Sequence, residues 1–384
     1  MLCPPPPLSL YIHLPWCVRK CPYCDFNSHV AGTAALRARY LEALLVDLRG
    51  EAKRAAGRPL LSVFLGGGTP SLFPADEIAR LLDAVRISFE LVADAEVTLE
   101  ANPGTVECGD PAGYREAGIN RVSIGAQSFS DRSLSALGRI HAVGDIIGSV
   151  SAVQAAGFTN FNLDLMYGLP GQDVAAAVAD IERATELRPA HISWYQLTLE
   201  PNTVFYARPP AGLPDNDLSA EIQQHGQALL LEHGYEQYEV SAYAADGQYC
   251  VHNLNYWSFG DYLGVGAGAH GKLSDALGIR RYAKPANPLQ YMEFQERGQP
   301  LAEPMPLGES ELFFEFMLNA VRLTAGFDEG VFSARTGLQP GYLRDRLQAS
   351  IDKGLIAERQ IGVWQPTELG QHFLNDLQAV FLPD

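Results

Sequence analysis

The stretch "LSLYIHLPWCVRKCPYCDF" (residues 8–26) joins an apolar β-strand pattern to a loop with three cysteines. Cys17, Cys21 and Cys24 lie within eight positions of a 384-residue chain that has six cysteines. Buried free cysteines are common, but three in one short loop do not form a core pattern. Structural zinc usually takes four ligands as two separated pairs, and no second Cys/His pair follows at such a spacing. A 4Fe-4S cluster held by three thiolates leaves one iron with an open position, so the spacing favours an iron–sulfur site.

The first half of the chain alternates short β-like runs with longer helical patterns. Six strand candidates cover residues 8–14, 61–67, 95–101, 120–126, 159–167 and 190–199. Between several of them, apolar residues recur at three- and four-residue spacing, which is typical of helices. Repeated β-then-α units imply right-handed crossovers and a parallel sheet. We therefore predict an α/β fold, a partial (β/α)6 barrel with its chemistry at the carboxyl ends of the strands.

The pattern changes after about residue 205. We predict a barrel core over residues 1–205, an aromatic and glycine-rich extension over residues 206–299, and a small, mainly helical, winged-helix-like domain over residues 300–384. Winged-helix modules often bind DNA, but this segment has little excess of Lys and Arg. A packing or partner-docking role is therefore expected for it.

Charge and hydropathy exclude several classes of function. The chain has 28 basic and 45 acidic residues, a formal net charge of −17, and such a chain is a poor generic binder of nucleic acid or anionic lipid. No apolar run approaches the roughly 20 residues that span a bilayer. The first residues do not read as a signal peptide. A cytoplasmic location is expected, with cysteines that are reduced, metal-bound or buried.

The cysteine spacing after a strand, with Tyr23 before the last cysteine, resembles the radical S-adenosylmethionine superfamily. "FLGGGTPSLF" (residues 64–73) stands where that superfamily has a glycine-rich segment beside the methionine moiety. The resemblance implies that the open iron is chelated by S-adenosylmethionine, whose reductive cleavage gives a 5′-deoxyadenosyl radical.

The motifs "TLEANPG", "GAQSF" and "DLMYGLPGQ" resemble, more closely, the oxygen-independent coproporphyrinogen III oxidase family, and the likeness covers nearly the whole chain. It implies S-adenosylmethionine contacts for Tyr11, Tyr23, Gly67, Gly68, Thr69, Glu100, Gln127, Arg139 and Asp164. Three of these, Tyr23, Gly68 and Thr69, border a second S-adenosylmethionine position in the oxidase; whether this chain keeps it stays open. His13 is expected to support the cluster loop.

Three features resemble the haem chaperone (HemW-type) branch of that family. The oxidase has a fourth cysteine two positions after the third, where this chain has Phe26, and it has a long N-terminal extension that this chain lacks. The third feature is "HNLNYW" (residues 252–257), which matches the branch signature H-N-x-x-Y-W. It implies haem binding by His252, Asn253, Tyr256 and Trp257, with His252 as a ligand of the haem iron.

Taken without the resemblance, one histidine is more often a hydrogen-bonded core residue than a haem ligand. Haem also needs an axial imidazole and flanking aromatic surface, and both are present within these six residues. His270 is a second candidate ligand, and Cys250 a candidate thiolate.

The resemblance implies a haem chaperone that binds haem and passes it to acceptor proteins such as respiratory haem enzymes of the membrane. It would carry a 4Fe-4S cluster and S-adenosylmethionine, and a homodimer is expected. The alternative is an oxygen-independent coproporphyrinogen III oxidase, which would need an electron donor for the cluster and would form protoporphyrinogen IX. A radical enzyme with another substrate is the third hypothesis, so enzymatic activity stays open. No role for Cys3 or Cys108 follows from the sequence.

Overall fold

The computed structural model describes residues 5–104, 107–276 and 278–383, so Cys3 lies outside the described residues. In these ranges the strands are β1 (Leu8–Leu14), β2 (Trp16–Cys17), β3 (His29–Val30), β4 (Leu60–Gly67), β5 (Leu91–Ala101), β6 (Arg121–Gln127), β7 (Phe161–Tyr167), β8 (His191–Gln196), β9 (Glu236–Glu239), β10 (Ala242–Ala244), β11 (Asp261–Val265), β12 (His270–Asp275), β13 (Gly278–Ala283), β14 (Met305–Pro306), β15 (Phe327–Asp328), β16 (Ile356–Gln360) and β17 (Val363–Pro366).

The α-helices of the same ranges are α1 (Ala34–Ala55), α2 (Ala75–Ser88), α3 (Pro111–Ala117), α4 (Asp131–Ala136), α5 (Val143–Ala155), α6 (Val174–Glu186), α7 (Val204–Ala207), α8 (Asn216–Glu232), α9 (Val251–Trp257), α10 (Pro288–Glu296), α11 (Glu309–Ala320), α12 (Glu329–Thr336), α13 (Pro340–Asp352), α14 (Glu368–His372) and α15 (Leu374–Ala379). Several begin at a capping side chain, as at Thr33 before α1 and Asp173 before α6. Such caps satisfy N–H groups that have no partner inside the helix.

The six predicted strands form the parallel centre of one large sheet. Its order is β14-β13-β12-β11-β1-β4-β5-β6-β7-β8-β10-β9, and β1, β4, β5, β6, β7 and β8 pair in parallel. Helix α1 lies between β1 and β4, α2 between β4 and β5, and α3 between β5 and β6. Helices α4 and α5 lie between β6 and β7, and α6 lies between β7 and β8, as expected for β-then-α units. The predicted α/β fold, a partial (β/α)6 barrel, is confirmed.

The segment 206–299 adds strands at both edges of this sheet. The β9–β10 hairpin pairs with β8, and β11 pairs in parallel with β1. The sequence did not predict β11, which is a seventh parallel strand. The residues of β11 lie in a glycine-rich run, and its partner β1 lies at the start of the chain, more than 240 residues earlier.

The two faces of the sheet differ in chemistry because side chains alternate along a strand. On β5, Val97 and Leu99 belong to the apolar core. On the same strand, Glu96, Thr98 and Glu100 point the other way. We call this second face the inner face, and it carries the polar side chains at the ends of the strands. The sheet is therefore built to hold a polar site on one side only.

Most of the chain after residue 300 packs around a second apolar core, to which Phe259 and Ile279 also belong. This core is centred on Phe316, Phe332 and Leu343. A three-stranded sheet in the order β15-β17-β16 packs with α11, α12 and α13, which is a winged-helix-like arrangement. Within the residues that the structure describes, no helix is long and apolar enough to cross a membrane.

Candidate functional site

The cysteine loop leaves the sheet through β2 and returns through β3. Trp16 of β2 pairs with His29 of β3, and Cys17 is the last residue of β2. The Cys24 N–H donates to the Cys21 carbonyl over 3.1 Å, which closes a tight turn. All three cysteines line one cavity of ≈ 340 Å³ at the carboxyl ends of the strands.

Each of the three thiols lies beside a side chain that can donate a hydrogen bond to its sulfur. The pairs are Cys17 with Thr69 (Sγ to Oγ1, 3.6 Å), Cys21 with Arg139 (Sγ to Nη1, 3.5 Å) and Cys24 with Ser28 (Sγ to Oγ, 3.9 Å). Burial raises the pKa of Cys17 to about 11 and also raises the pKa of Cys24. The Cys17 and Cys24 thiols therefore keep their protons until a metal replaces them.

The cavity brings together most of the side chains that the sequence assigned to cofactor binding. Those that line it are Cys17, Cys21, Tyr23, Cys24, Gly67, Gly68, Glu100, Gln127, Arg139 and Asp164. Thr69 lies behind the cavity wall and contacts it through Cys17. Tyr11 is not among the lining residues; it lies beside Gly66 and Phe64 on the inner face. Phe26 also lines the cavity and is 59% exposed.

Two carboxyl groups, those of Glu100 and Asp164, line the cavity. Glu100 Oε2 accepts from the Gly67 N–H over 3.1 Å, and Asp164 accepts from Ser123 and Asn162 over 3.2 and 2.8 Å. Burial, and then the nearby Asp164, raise the pKa of Glu100 to about 8. Burial also raises the pKa of Asp164, against the hydrogen bonds that it accepts. The cavity thus offers two acidic groups that a positively charged ligand would ionise.

Gln127 is positioned by an irregularity in the sheet. The register between β6 and β7 shifts between Ile124 and Gln127, and Gln127 has a φ of 69°. A non-glycine residue in the left-handed region is uncommon and often marks a functional site. The Tyr195 hydroxyl donates to Gln127 Oε1 over 2.8 Å and fixes the amide in the cavity.

Gly67 and Gly68 allow the strand end to approach the cysteine loop. Gly67 has a φ of +115°, and a Cβ there would lie 2.4 Å from the His13 ring. A Cβ on Gly68 would lie 2.6 Å from the Trp16 carbonyl oxygen. Because only glycine avoids these contacts, the glycine run has a packing reason in addition to any ligand contact.

His13 joins Tyr11 to the cysteine loop through two hydrogen bonds. Its Nε2 donates to the Asn27 carbonyl over 2.8 Å, so Nδ1 accepts from the Tyr11 hydroxyl over 3.0 Å. Burial lowers the pKa of His13 to about 4, so the ring is neutral near pH 7.

Sequence reasoning missed several polar residues of the cavity, chiefly Asn102, Glu107 and Tyr195. Asn102 Oδ1 accepts from Arg139 over 2.6 Å, and its Nδ2 donates to Thr69 over 2.8 Å. Burial raises the pKa of Glu107, while Arg139 and Asn102 lower it. Their positions at strand ends could have identified two of them as site residues. Asn102 directly follows β5 in "EANPG", and Tyr195 lies near the end of β8.

The "HNLNYW" segment forms α9, which covers the inner face near the amino ends of β1 and β4, away from the cysteines. His252 is only 9% exposed, and its ring lies 4.9 Å from that of Phe64. Its Nδ1 lies 2.9 Å from Ser62 Oγ, which donates in turn to Ser9 over 2.8 Å. Burial, and then the charge of Arg121, lower the pKa of His252 to about 3. The structure therefore places His252 in the interior, outside the cysteine cavity.

Helix α9 is fixed at its first turn by a buried carboxylate of β5. Glu96 accepts from the N–H groups of Val251 and His252, each over 3.0 Å, and from Cys250 Sγ over 3.5 Å. Burial raises the pKa of Cys250 to about 12, so its thiol is protonated. A carboxylate at the start of a helix complements its dipole.

The other residues of the signature are half-buried on α9. Trp257 packs edge-on to Tyr256 with a centroid separation of 5.0 Å, and the Arg322 guanidinium lies 4.3 Å from the Trp257 ring. Asn253 is also half-buried. His270, in contrast, is exposed at the start of β12. Cys108 is buried and does not line the cavity that holds Cys17, Cys21 and Cys24.

Comparison with known proteins agrees with this geometry. The model of the radical SAM superfamily matches residues 11–184. The heme chaperone HemW of Escherichia coli is 47% identical over 380 residues, which cover 99% of each chain. The heme chaperone HemW of Haemophilus influenzae is also 47% identical, again over 99% of each chain. In fold, the chain resembles coproporphyrinogen III oxidase (HemN) from Escherichia coli, a radical SAM enzyme. That comparison has a TM-score of 0.82 and 25% identity, and it covers 98% of this chain and 90% of the other.

The full-length likeness to the HemW proteins and the match to the superfamily model agree with the cysteine loop, the glycine run and the sheet order. The chain therefore belongs to the HemW family of the radical SAM superfamily.

Proposed function

We propose that this protein is a haem chaperone, which binds haem and transfers it to acceptor haem proteins while it carries a 4Fe-4S cluster and S-adenosylmethionine. The observation that carries the proposal is the 47% identity with the Escherichia coli heme chaperone HemW over 99% of both chains. Phe26, at the position of the fourth cysteine of the oxidase, supports this choice. A cytoplasmic location, a homodimer and respiratory haem enzymes as acceptors belong to the same proposal.

The cysteine loop fits a cluster better than a single metal ion. In the described ranges, no group of three or more His, Cys, Asp or Glu side chains is arranged to hold one ion. A 4Fe-4S cluster makes a different demand, because each thiolate binds a different iron. The three thiols share one cavity, and each has a donor that would hydrogen-bond its sulfur as a thiolate. Cys17, Cys21 and Cys24 would hold the cluster, which supplies an electron when it is reduced.

The rest of the cavity fits a charged nucleotide-like ligand. Backbone at Gly67 and Gly68 is open to close approach, and the carboxyl groups of Glu100 and Asp164 are available to a cationic ligand. Arg139 supplies the complementary positive charge for a carboxylate. We assign these residues, with Gln127 and Tyr23, to S-adenosylmethionine. Tyr11 and Thr69 would act from behind the wall.

Binding of S-adenosylmethionine is expected to release a proton from Glu100. Its raised pKa of about 8 means that the carboxyl is protonated at pH 7, and a cationic ligand favours the ionised form. Affinity should therefore rise with pH up to about 8, by at most about tenfold per pH unit, and then level off. Titration calorimetry of the cluster-loaded protein in two buffers of different ionisation enthalpy measures the proton release. Glu100→Gln should remove it; the same release in that variant would exclude Glu100 as its source.

The tautomer of His252 suits haem ligation through Nε2. Since Ser62 donates to Ser9, the Nδ1 of His252 carries the proton and donates to Ser62, which leaves Nε2 without one in the neutral ring. A histidine that ligates a metal usually has its other nitrogen fixed in this way. Because the ring is buried under α9, we propose that haem binds at "HNLNYW" when α9 moves away from the inner face. Tyr256 and Trp257 would then provide aromatic surface for the macrocycle.

Haem binding and transfer are the direct test. The full-length protein, reconstituted anaerobically with its cluster, is expected to bind haem stoichiometrically and to pass it to an apo haem acceptor. His252→Ala should weaken or shift the Soret band. Ser62→Ala keeps the imidazole and removes only the hydroxyl that fixes its tautomer, so it should change the band less than His252→Ala does. If His270→Ala changes the band and His252→Ala does not, the ligand is the exposed His270.

The oxidase hypothesis is tested with the same preparation. The observation that favours this second hypothesis is the similarity of the fold to coproporphyrinogen III oxidase, with a TM-score of 0.82. Incubation with S-adenosylmethionine, a reductant and coproporphyrinogen III is expected to yield no protoporphyrinogen IX. Steady formation of that product would replace the chaperone proposal with the enzyme.

A further inference from the structure

Asn102 connects two of the three cysteines through a directed chain of hydrogen bonds. Arg139 Nη2 donates to Asn102 Oδ1 over 2.6 Å, and Asn102 Nδ2 donates to Thr69 Oγ1 over 2.8 Å. The two outer members each donate to a thiol: Thr69 to Cys17 over 3.6 Å and Arg139 to Cys21 over 3.5 Å. One amide is thus placed between both donors.

The chemistry of the three side chains fixes the direction of every bond. A guanidinium only donates, so the amide oxygen of Asn102 must face Arg139 and its NH₂ group must face Thr69. The Thr69 oxygen accepts that N–H, which leaves its single O–H free to donate to Cys17. If the amide were reversed, its NH₂ group would face the Arg139 guanidinium, and two donors would meet. The present orientation therefore gives both Arg139 and Thr69 a hydrogen-bond partner.

We propose that Asn102 is a positioning residue for the iron–sulfur cluster, which sets the electron affinity of the cluster by aiming Thr69 and Arg139 at two of its thiolate ligands. The proposal rests on the proposed cluster. Hydrogen bonds to the sulfurs are among the factors that set the potentials of such clusters. They stabilise the reduced, more negative state more than the oxidised one, so losing them lowers the potential. Chains of hydrogen bonds strengthen their members, which gives Asn102 an effect without touching a sulfur.

Cys24 provides a matched control inside the same loop. Its neighbour Ser28 lies 3.9 Å from the sulfur. No hydrogen bond between Ser28 and Asn102 is present in the described ranges, and Ser28 donates its backbone N–H to the Phe26 carbonyl over 2.7 Å. A change at Ser28 should therefore act on the cluster independently of Asn102.

The experiment is a redox titration of the cluster followed by electron paramagnetic resonance, with the full-length reconstituted protein. In Asn102→Leu, iron and sulfide contents should match the wild type, while the ratio of reduced to oxidised cluster at a fixed solution potential falls about tenfold, or 59 mV for a one-electron couple. Thr69→Val should lower the potential in the same direction, and Thr69→Ser, which keeps the hydroxyl, should restore it. Combining Asn102→Leu with Thr69→Val should give less than the sum of the two shifts, whereas combining it with Ser28→Ala should give the full sum.

An unchanged potential in a cluster-loaded Asn102→Leu protein would overturn the proposal, as would full additivity with Thr69→Val. If Asn102→Leu does not fold, Asn102→Asp keeps the size of the side chain. Its carboxylate accepts from Thr69 and turns that hydroxyl away from Cys17, so adding Thr69→Val should then cause no further shift; a further full shift overturns the proposal. Failure of the wild type to assemble a cluster would count against the proposed cofactor. Failure of haem transfer would count against the proposed function and leave the potentials as the test of Asn102.

Discussion

Cys17→Ala protein, reconstituted anaerobically with iron and sulfide, is expected to hold no 4Fe-4S cluster. The loop offers three thiolates, and the proposed cluster needs all of them. Cys17 is the buried one, at the end of β2. Removing it leaves two half-buried cysteines and no other cysteine among the cavity-lining residues. Iron and acid-labile sulfide should fall to background, and the broad visible absorbance of the cluster should disappear.

Cys108→Ala is the matched control for this loss. Cys108 is also a buried free cysteine, but it does not line the cavity. Its replacement should leave iron and sulfide contents unchanged. A Cys17→Ala protein that keeps wild-type iron and sulfide would contradict the assignment of the loop, and an equal loss in both variants would point to general instability.

The parallel centre of the fold was predictable because its signals are local. A strand such as β4 is an apolar run followed directly by glycines, and α2 shows helical spacing within fourteen residues. The strand β11 was missed since its identity depends on pairing with β1, more than 240 residues earlier in the chain. The register of such a pair is a tertiary property, which a window of sequence does not contain.

The candidate site shows the same division. The cysteines are recognisable because three ligands occur in one loop, whereas Asn102 and Tyr195 are single polar residues until the sheet brings the strand ends together. His252 illustrates the converse. The sequence places an imidazole beside aromatic residues, but the partners that hold it in the interior include Ser62 of β4 and Glu96 of β5, which are distant in the chain. The local sequence thus indicates which chemical groups the motif contains, whereas partners distant in the chain decide whether the His252 ring is accessible.

The largest effect on stability is expected from Lys284→Met, far from the cysteine cavity. Lys284 follows β13 and its side chain is 1% exposed. Its Nζ lies 2.5 Å from Asp47 Oδ1 and 3.0 Å from Glu51 Oε1, both on α1. The variant removes the cation that pairs with Asp47 and leaves Glu51 with Arg54 alone, whose Nη1 lies 3.6 Å from Glu51 Oε1. Breaking a buried ion pair from one side costs about 3–5 kcal/mol, so the free energy of unfolding should fall by that amount.

Urea unfolding measures this loss, and Lys53→Met provides the control. Lys53 lies on the same helix, is exposed, and should change stability by less than about 0.5 kcal/mol when replaced. A loss below about 1 kcal/mol in Lys284→Met, the range of an exposed pair, would show that the two carboxylates are solvated or protonated without Lys284.

Lys284→Met should also destabilise the cysteine loop, because Asp47 holds the segment after β11 to which that loop is hydrogen-bonded. Asp47 Oδ2 accepts from the Gly266 N–H over 3.0 Å, directly after β11. Next to it, the Ala267 carbonyl accepts from Asn27 Nδ2 over 3.0 Å, and Asn27 lies in the cysteine loop. Lys284→Met should therefore speed hydrogen exchange at residues 264–269 and in the loop below the denaturation midpoint, while β6 and β7 stay protected. Equal exchange across the whole sheet would mean that the buried ion cluster supports the fold without any particular link to the cysteine loop.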